Sequence, residues 1–358
     1  MNADGSGLVQ LTENESNDDS ADWSPDGTRI AWAHRPSDVE DNIDIWVMNA
    51  DGGAKTRLTS DGTFPDLQPA WSPDGSKIAF TRRVVAGEAA DIFVMNADGS
   101  GLVNRTNSPD LEDADAAWSP DGSKIAFARS SVFNINWEIY VMNADGSGLV
   151  QLTDNPSFDG YPAWSPDGQR IAFTTDRANS PYYGDVFVMN ADGSGLVNLT
   201  NSPGVDDGNA SWSPDGTRIA FMTWPLNSFE IYTMNADGTD PVNLTLNDAD
   251  DYRPDWQRLE TPPPQTAQRA GDRDSRRPEW RLRHAVHDAP VLPDRLQHWQ
   301  DRQNTSARDR SDACLRRSGP SSALARCAPA SPAGLAPVKS ARRGHNAPDR
   351  FAPHRGWL

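Results

Sequence analysis

The sequence predicts an all-β fold: a six-bladed β-propeller of five complete four-stranded blades plus an incomplete closing blade, followed by a disordered tail. Three observations predict it. The string Trp-Ser-Pro-Asp-Gly starts at Trp23, Trp71, Trp118, Trp164 and Trp212. A second string, Met-Asn-Ala-Asp-Gly, alternates with it from Met1, Met48, Met95, Met142, Met189 and Met234. Successive copies lie about 47 residues apart, near the length of a four-stranded propeller blade.

Residues 67–107 show how one unit is built. Gln68–Trp71 is a short first strand that runs into Ser72-Pro73-Asp74-Gly75. Pro presets φ at the first turn position, Asp bonds its own backbone, and Gly accepts positive φ, so the string is a hairpin turn. Lys77–Thr81 is the second strand. Asp91–Asn96, rich in β-branched and aromatic residues, is the third. Ala97-Asp98-Gly99 turns the chain again, and Leu102–Thr106 is a weaker fourth strand. In the third strand Ile92 and Val94 face one way, Phe93 and Met95 the other. Both faces are apolar, as a sheet packed between two neighbours requires. The repeated Trp reads as the packing residue between adjacent blades.

Five such units run from about residue 18 to residue 246. A sixth first strand, Tyr252–Trp256, follows without a Ser-Pro-Asp-Gly turn. The chain opens with the complementary pieces, a turn (Asn2–Gly5) and a fourth strand (Leu8–Thr12). The two ends therefore combine into the last blade, which protects the free sheet edges. That blade lacks its second strand and nearly all of its third. The expectation is that Met1 is an internal residue of a longer propeller. Arg105 stands where the other fourth strands have Leu11, Leu58, Leu152, Leu199 and Leu244, a tolerated change on an outer strand.

Composition divides the chain into a propeller, 1–258, and a tail, 259–358. Residues 261–358 hold 18 Lys and Arg against 9 Asp and Glu, a net of +9. The whole chain holds 33 and 51, so residues 1–260 carry a net of −27. The tail is rich in Arg, Ala, Pro and Ser and has no repeat, which predicts disorder. Translation in a wrong frame past about residue 265 would give the same composition. Cys314 and Cys327 have no metal-ligand spacing. No stretch is apolar enough to span a membrane, and the chain carries no signal peptide.

The strings Trp-Ser-Pro-Asp-Gly, Ile-Ala-Phe and Ile-Tyr-Val-Met-Asn-Ala-Asp-Gly, followed by Leu-Thr, resemble the WD40-like PD40 repeats of TolB-type propellers over residues 1–258. The resemblance implies a six-bladed propeller, bacterial and periplasmic or secreted, that binds protein. The N-terminal α/β domain of TolB has no counterpart here. The same repeats form the propeller half of prolyl-oligopeptidase-like peptidases.

Repeated residues build the frame, so function is expected where copies differ or where identical groups meet on the axis. Five residues before each repeated Trp stands an Asp: Asp18, Asp66, Asp113, Asp159, Asp207 and Asp251. Six carboxylates at a channel mouth would form a negative funnel for a cationic peptide, an amine or Ca²⁺. The alternative is that each Asp caps its own turn through backbone N–H groups. A second acidic set, Asp44, Asp91, Glu138, Asp185 and Glu230, reads as a solvated rim or loop anchor. The loops between second and third strands differ in every blade and carry Phe133, Trp137, Tyr182, Tyr183, Trp224 and Phe229. These aromatics suit a binding face, or pack on neighbouring blades.

No catalytic motif is present: no Gly-x-Ser-x-Gly elbow, no His-x-x-x-His, no phosphate-cradling Gly loop. Three functions remain open. One is a non-enzymatic, monomeric scaffold that binds a protein, peptide or cation. Another is the propeller half of a serine peptidase whose catalytic domain is missing. The third is a Ca²⁺-dependent lyase or hydrolase at the channel mouth. The net charge of residues 1–260 argues against nucleic acid and anionic membranes as partners of the propeller.

Overall fold

Each of the five complete blades joins its first two strands by the same turn, and side chains set its shape. In blade one the Ser24 hydroxyl donates to Asp26 Oδ1 (2.6 Å) and accepts from the Arg29 amide (2.9 Å). Asp26 also accepts from the Thr28 amide, and Gly27 takes φ 68°. The same contacts recur at Ser72, Ser119, Ser165 and Ser213. Asp74 and Asp121 are pulled down to about 2, first by the hydroxyls of Ser72 and Ser119 and then by Ser76 and Ser123.

The computed structural model describes residues 1–12, 17–36, 43–60, 64–84, 89–131, 134–178, 183–225, 228–247, 249–257 and 281–287. All of them belong to one compact unit, Met1–Leu296. Blade one comprises Asn17–Trp23, Arg29–Arg35, Asp44–Asn49 and Thr56–Arg57. Blade two comprises Asp66–Trp71, Lys77–Arg83, Ala90–Asn96 and Val103–Asn104. Blade three comprises Leu111–Trp118, Lys124–Ser131, Asn134–Asn143 and Val150–Gln151. Blade four comprises Asp159–Trp164, Arg170–Thr175, Asp185–Asn190 and Val197–Asn198. Blade five comprises Asp206–Trp212, Arg218–Trp224, Glu230–Asn235 and Val242–Asn243. Strands pair antiparallel in sequence order within each blade, and one parallel bridge, Ala90 to Glu112, ties blade two to blade three. The fourth strands have two residues each, shorter than the sequence suggests, and Leu8–Thr12 forms no strand.

The core lies between blades. Phe80, Phe127 and Phe173 are among the largest fully buried side chains. Each burial contributes about 1.5–3 kcal/mol. Ile45 and Val47 of blade one pack on Trp71, Ile78, Phe80 and Met95 of blade two. Val186 and Val188 of blade four meet Trp212, Ile219, Phe221 and Met234 of blade five in the same way. The repeated Trp is thus an inter-blade residue, as expected.

First strands contact first strands all the way round, Asn17–Trp23 meeting both Asp66–Trp71 and Asp250–Gln257, so they line the axis. The ring closes by backbone and side-chain bonds. The Trp23 amide donates to Asp255 Oδ2 (2.9 Å), and the Gln257 side chain donates to the Gly27 carbonyl (2.9 Å). Met1 is buried against Ala220, Met222, Phe229, Ile231 and Trp256, the place its sibling methionines take at other junctions. Six Asp-Gly turns repeat one further joint. A Cβ on Gly52, Gly99, Gly146, Gly193 or Gly238 would stand 2.5–3.0 Å from the carbonyl oxygen of Leu11, Leu58, Arg105, Leu152 or Leu199. Gly5 meets Leu244 in the same way and closes the circle. The joint uses a backbone carbonyl, which explains why Arg105 is tolerated there.

The closing blade differs from expectation. Arg281–His287, assigned by composition to the tail, pairs antiparallel with Asp250–Gln257 as a second strand. In backbone register Trp256 pairs with Leu282 as Trp71 pairs with Ile78. Composition hid this strand because its neighbours on both sides are Arg- and Pro-rich. The rest of the expected disordered tail, 259–280 and 288–358, lies outside the described residues.

Candidate binding rings at the channel

The six aspartates lie inside the protein rather than open at its mouth. Asp66, Asp113, Asp159 and Asp251 are fully buried, and Asp207 and Asp18 nearly so. Arg82 grips Asp66 with two bonds, Nε to Oδ1 at 2.6 Å and Nη2 to Oδ2 at 2.7 Å. Arg129 grips Asp113 likewise at 2.5 and 2.8 Å. Arg177 Nη2 donates to Asp159 Oδ2 (2.6 Å), and His34 Nδ1 lies 2.6 Å from Asp18 Oδ1. Asn247 donates to Asp251 (2.7 Å). Backbone amides add to this: Asp66, Asp207 and Asp251 each donate 2.8 Å bonds to carbonyls of the preceding blade, at Ile43, Gly184 and Phe229. The geometry is that of an anchor between blades, made by side-chain partners rather than by the carboxylates capping their own turns, and does not make an exposed negative funnel. Among the described residues no group of three or more His, Cys, Asp or Glu is placed to hold a metal ion.

The second acidic set also anchors loops. Asp91 Oδ1 accepts from Thr106 and from the Ser108 amide, and Asp185 does the same with Thr200 and Ser202.

A different ring faces the axis. Three residues before each Trp stand Ser20, Gln68, Asp115, Tyr161, Asn209 and Arg253. All six have positive φ, from 47° to 57°, a region non-glycine residues rarely enter. Each sits in a register shift of its first strand. Such a bulge re-aims a side chain. Here side chains of different blades meet beside the axis. Gln68 donates to Asp115, and Arg253 donates to Ser20 of blade one. The Arg253 guanidinium also lies 5.7 Å from the Tyr161 ring of blade four. Burial alone would lower the Arg253 pKa, but Asp19, Tyr161 and Asp115 hold it above its ordinary value. Sequence reading missed this ring. Its signal was present: the position is polar in all six copies and different in each.

Two residues further on, Asp255 and Asp22 cap the Trp23 and Trp71 amides (2.9 and 2.6 Å). Burial and then repulsion from Asp255 push Asp22 well up, and burial pushes Asp255 to about 6.

The loop aromatics divide. Trp137 and Phe229 are buried, 5% and 6% exposed, and belong to the cores between blades, which corrects their reading as an open binding face. Trp224 and Tyr183 are half-buried, and Trp224 stacks on Phe229 at 5.4 Å. Phe133 and Tyr182 lie outside the described residues. Beside Tyr183, the Gly184 amide donates to Asp206 Oδ1 (2.8 Å). Burial raises Asp206 to about 6, helped by the charges of Asp207, Asp185 and Asp176.

The sequence matches the PD40 family, the TolB beta propeller domain, over residues 36–132 and 112–184. In fold the chain is a TolB-like β-propeller, with PD40 repeats matched over residues 36–184. Its fold is similar to TolB from Acinetobacter baumannii at 23% identity and TM-score 0.57, covering 71% of this chain and 61% of that one. It is similar to a putative TolB from Agrobacterium tumefaciens at 20% identity and TM-score 0.56, covering 65% and 82%. A puromycin-hydrolyzing peptidase of Mycobacterium tuberculosis shares the fold at 16% identity and TM-score 0.50, covering 64% of this TolB-like propeller and 38% of that chain. No curated protein sequence matches the chain. Among the described residues no helix is long and apolar enough to cross a membrane.

Proposed function

We propose that this TolB-like propeller is a non-enzymatic binding domain, working in the periplasm or outside the cell, whose ligand is a protein or peptide held over the axial ring. One observation carries the reading. The frame repeats almost without change, while the residues aimed at the axis differ in all six blades: Ser20, Gln68, Asp115, Tyr161, Asn209 and Arg253. Strained backbone positions carrying varied polar side chains are a pattern of ligand clamps. The kinship with TolB propellers supports a protein or peptide as ligand and an envelope location.

The test is a peptide selection on the full chain, with affinities remeasured on Tyr161→Ala and Asp115→Ala. Binding at least tenfold weaker in both supports the axial ring. Unchanged affinity in both removes it.

A second reading is favoured by the fold shared with the puromycin-hydrolyzing peptidase: the chain would be the propeller part of a larger hydrolase. Sequencing the DNA on both sides of the coding region tests it. A hydrolase domain in a neighbouring frame would support this reading, and its absence would end it.

A further inference from the structure

Blades two, three and four each bind a guanidinium of their own chain, and the geometry is shared. In blade two the Arg82 fork grips Asp66 while its charged carbon lies 5.4 and 5.2 Å from the Phe80 and Phe93 rings. In blade three Arg129 grips Asp113 and lies 5.3 and 5.2 Å from Phe127 and Tyr140. In blade four Arg177 reaches Asp159 and lies 5.5 and 5.7 Å from Phe173 and Phe187. Blade one places His34 there, 2.6 Å from Asp18 and edge-on to Trp46 at 5.2 Å. Each site is one carboxylate, two aromatic rings and one nitrogen base. A guanidinium suits it, because the fork matches the carboxylate and the flat cation stacks on rings.

Blade five keeps the receptor and lacks the base. Asp207 holds the place of Asp66 and is 2% exposed. Phe221 and Tyr232 lie 5.9 Å apart, against 6.0 Å for Phe80 and Phe93 and 6.1 Å for Phe127 and Tyr140. Opposite Asp207 stands Thr223, where blade two has Arg82. Blade four also has a Thr there, Thr175, but Arg177 two residues later reaches back. Blade five has Pro225 at that point. Hydroxyls of Thr223, Ser202 and Thr200 reach the Asp207 carboxylate. Its Oδ2 is nevertheless buried with no hydrogen-bond partner; Asp159 also keeps one such oxygen, but its other oxygen takes Arg177 Nη2, and both oxygens of Asp66 and Asp113 take an arginine nitrogen. A buried carboxylate oxygen left without a donor is costly. Asp185 adds negative potential at Asp207, and Asp206 stands next to it in the chain.

We propose that Asp207, Phe221 and Tyr232 form a guanidinium seat that no arginine of the described residues fills, and that it receives an arginine side chain of the peptide ligand. The proposal deepens the peptide-binding reading and rests on it only for the source of the arginine.

The probe is N-acetyl-arginine amide, with N-acetyl-citrulline amide as the uncharged twin, and the readout is the melting temperature of the full chain. The arginine amide should raise it saturably and the citrulline amide should not. Thr223→Arg should raise the melting temperature without ligand and abolish the response, since the chain then fills its own seat. Asp207→Asn should stay folded and bind the arginine amide at least tenfold more weakly. Equal responses to both amides, no response to either, or a response unchanged in Asp207→Asn would overturn the proposal. Asp207→Asn decides even if Thr223→Arg fails to fold. Peptides selected on the whole protein that still bind both variants would remove the seat and leave the axial ring standing.

Discussion

Two rings of six residues lie two positions apart on the same strands and behave oppositely. The outer ring, Asp18 to Asp251, is chemically uniform, buried and bonded to its own and the preceding blade. The axial ring, Ser20 to Arg253, is chemically mixed, and its backbone is held at positive φ. Uniformity marks a part that does the same mechanical task six times. Variation at a fixed, strained geometry marks a part whose shape is conserved by the repeat and whose chemistry is free to change.

The contrast can be broken from the frame side with the largest effect. Asp66→Ala removes the two-bond carboxylate grip on the buried Arg82 guanidinium. A loss of about 3–5 kcal/mol in urea unfolding is expected. A loss below 1 kcal/mol would show that the outer ring is not the anchor described.

Asp206 tests the acidic recess by pH. Its folded pKa is raised from 3.8 to about 6, first by burial. A raised carboxyl stabilises fully below its unfolded value and loses that contribution as pH climbs through the folded value. Stability should therefore fall between pH 4 and about pH 7. Asp206→Asn should flatten that decline and add about 1–2 kcal/mol at pH 8, discounted for partial exposure. Identical pH profiles for the two proteins would refute the assignment.

The fifth blade sharpens the comparison further. Asp207→Asn strands no arginine, so it should cost less than about 1 kcal/mol, far below Asp66→Ala. Equal costs would mean that Asp207 has a cationic partner after all.

The axial ring should respond least. Ser20→Gly removes a side chain from φ 55°. Relief of strain and the entropy of glycine oppose each other, so the net change should stay within about 0.5 kcal/mol. A drop above 2 kcal/mol would give the axial position a structural task.

Much of the fold was legible because the repeat writes it five times. Pro and Gly at fixed places fix the turn, and the two apolar faces of Asp91–Asn96 fix its position between neighbours. The strand Arg281–His287 was not legible, since backbone pairing can recruit a segment whose composition says nothing. At the site, the position of the six aspartates was legible and their burial was not. Their partners Arg82, Arg129 and Arg177 sit at the ends of second strands, where an Arg reads as a solvent-facing loop residue. Trp137 and Phe229 misled for the converse reason: an aromatic in a variable loop can turn inward. The axial ring escaped because a bulge is invisible in a strand pattern of period two.

The six glycine joints have one more consequence. Each joint presses a glycine of one blade on a backbone carbonyl of its neighbour, and backbone is the same in every blade. Such a joint cannot tell which two units it connects. A gene that gained, lost or exchanged a whole unit would keep every joint intact. The number of blades is therefore not written in these joints; contacts particular to one junction, such as Gly27 with Gln257, are what mark where the circle shuts.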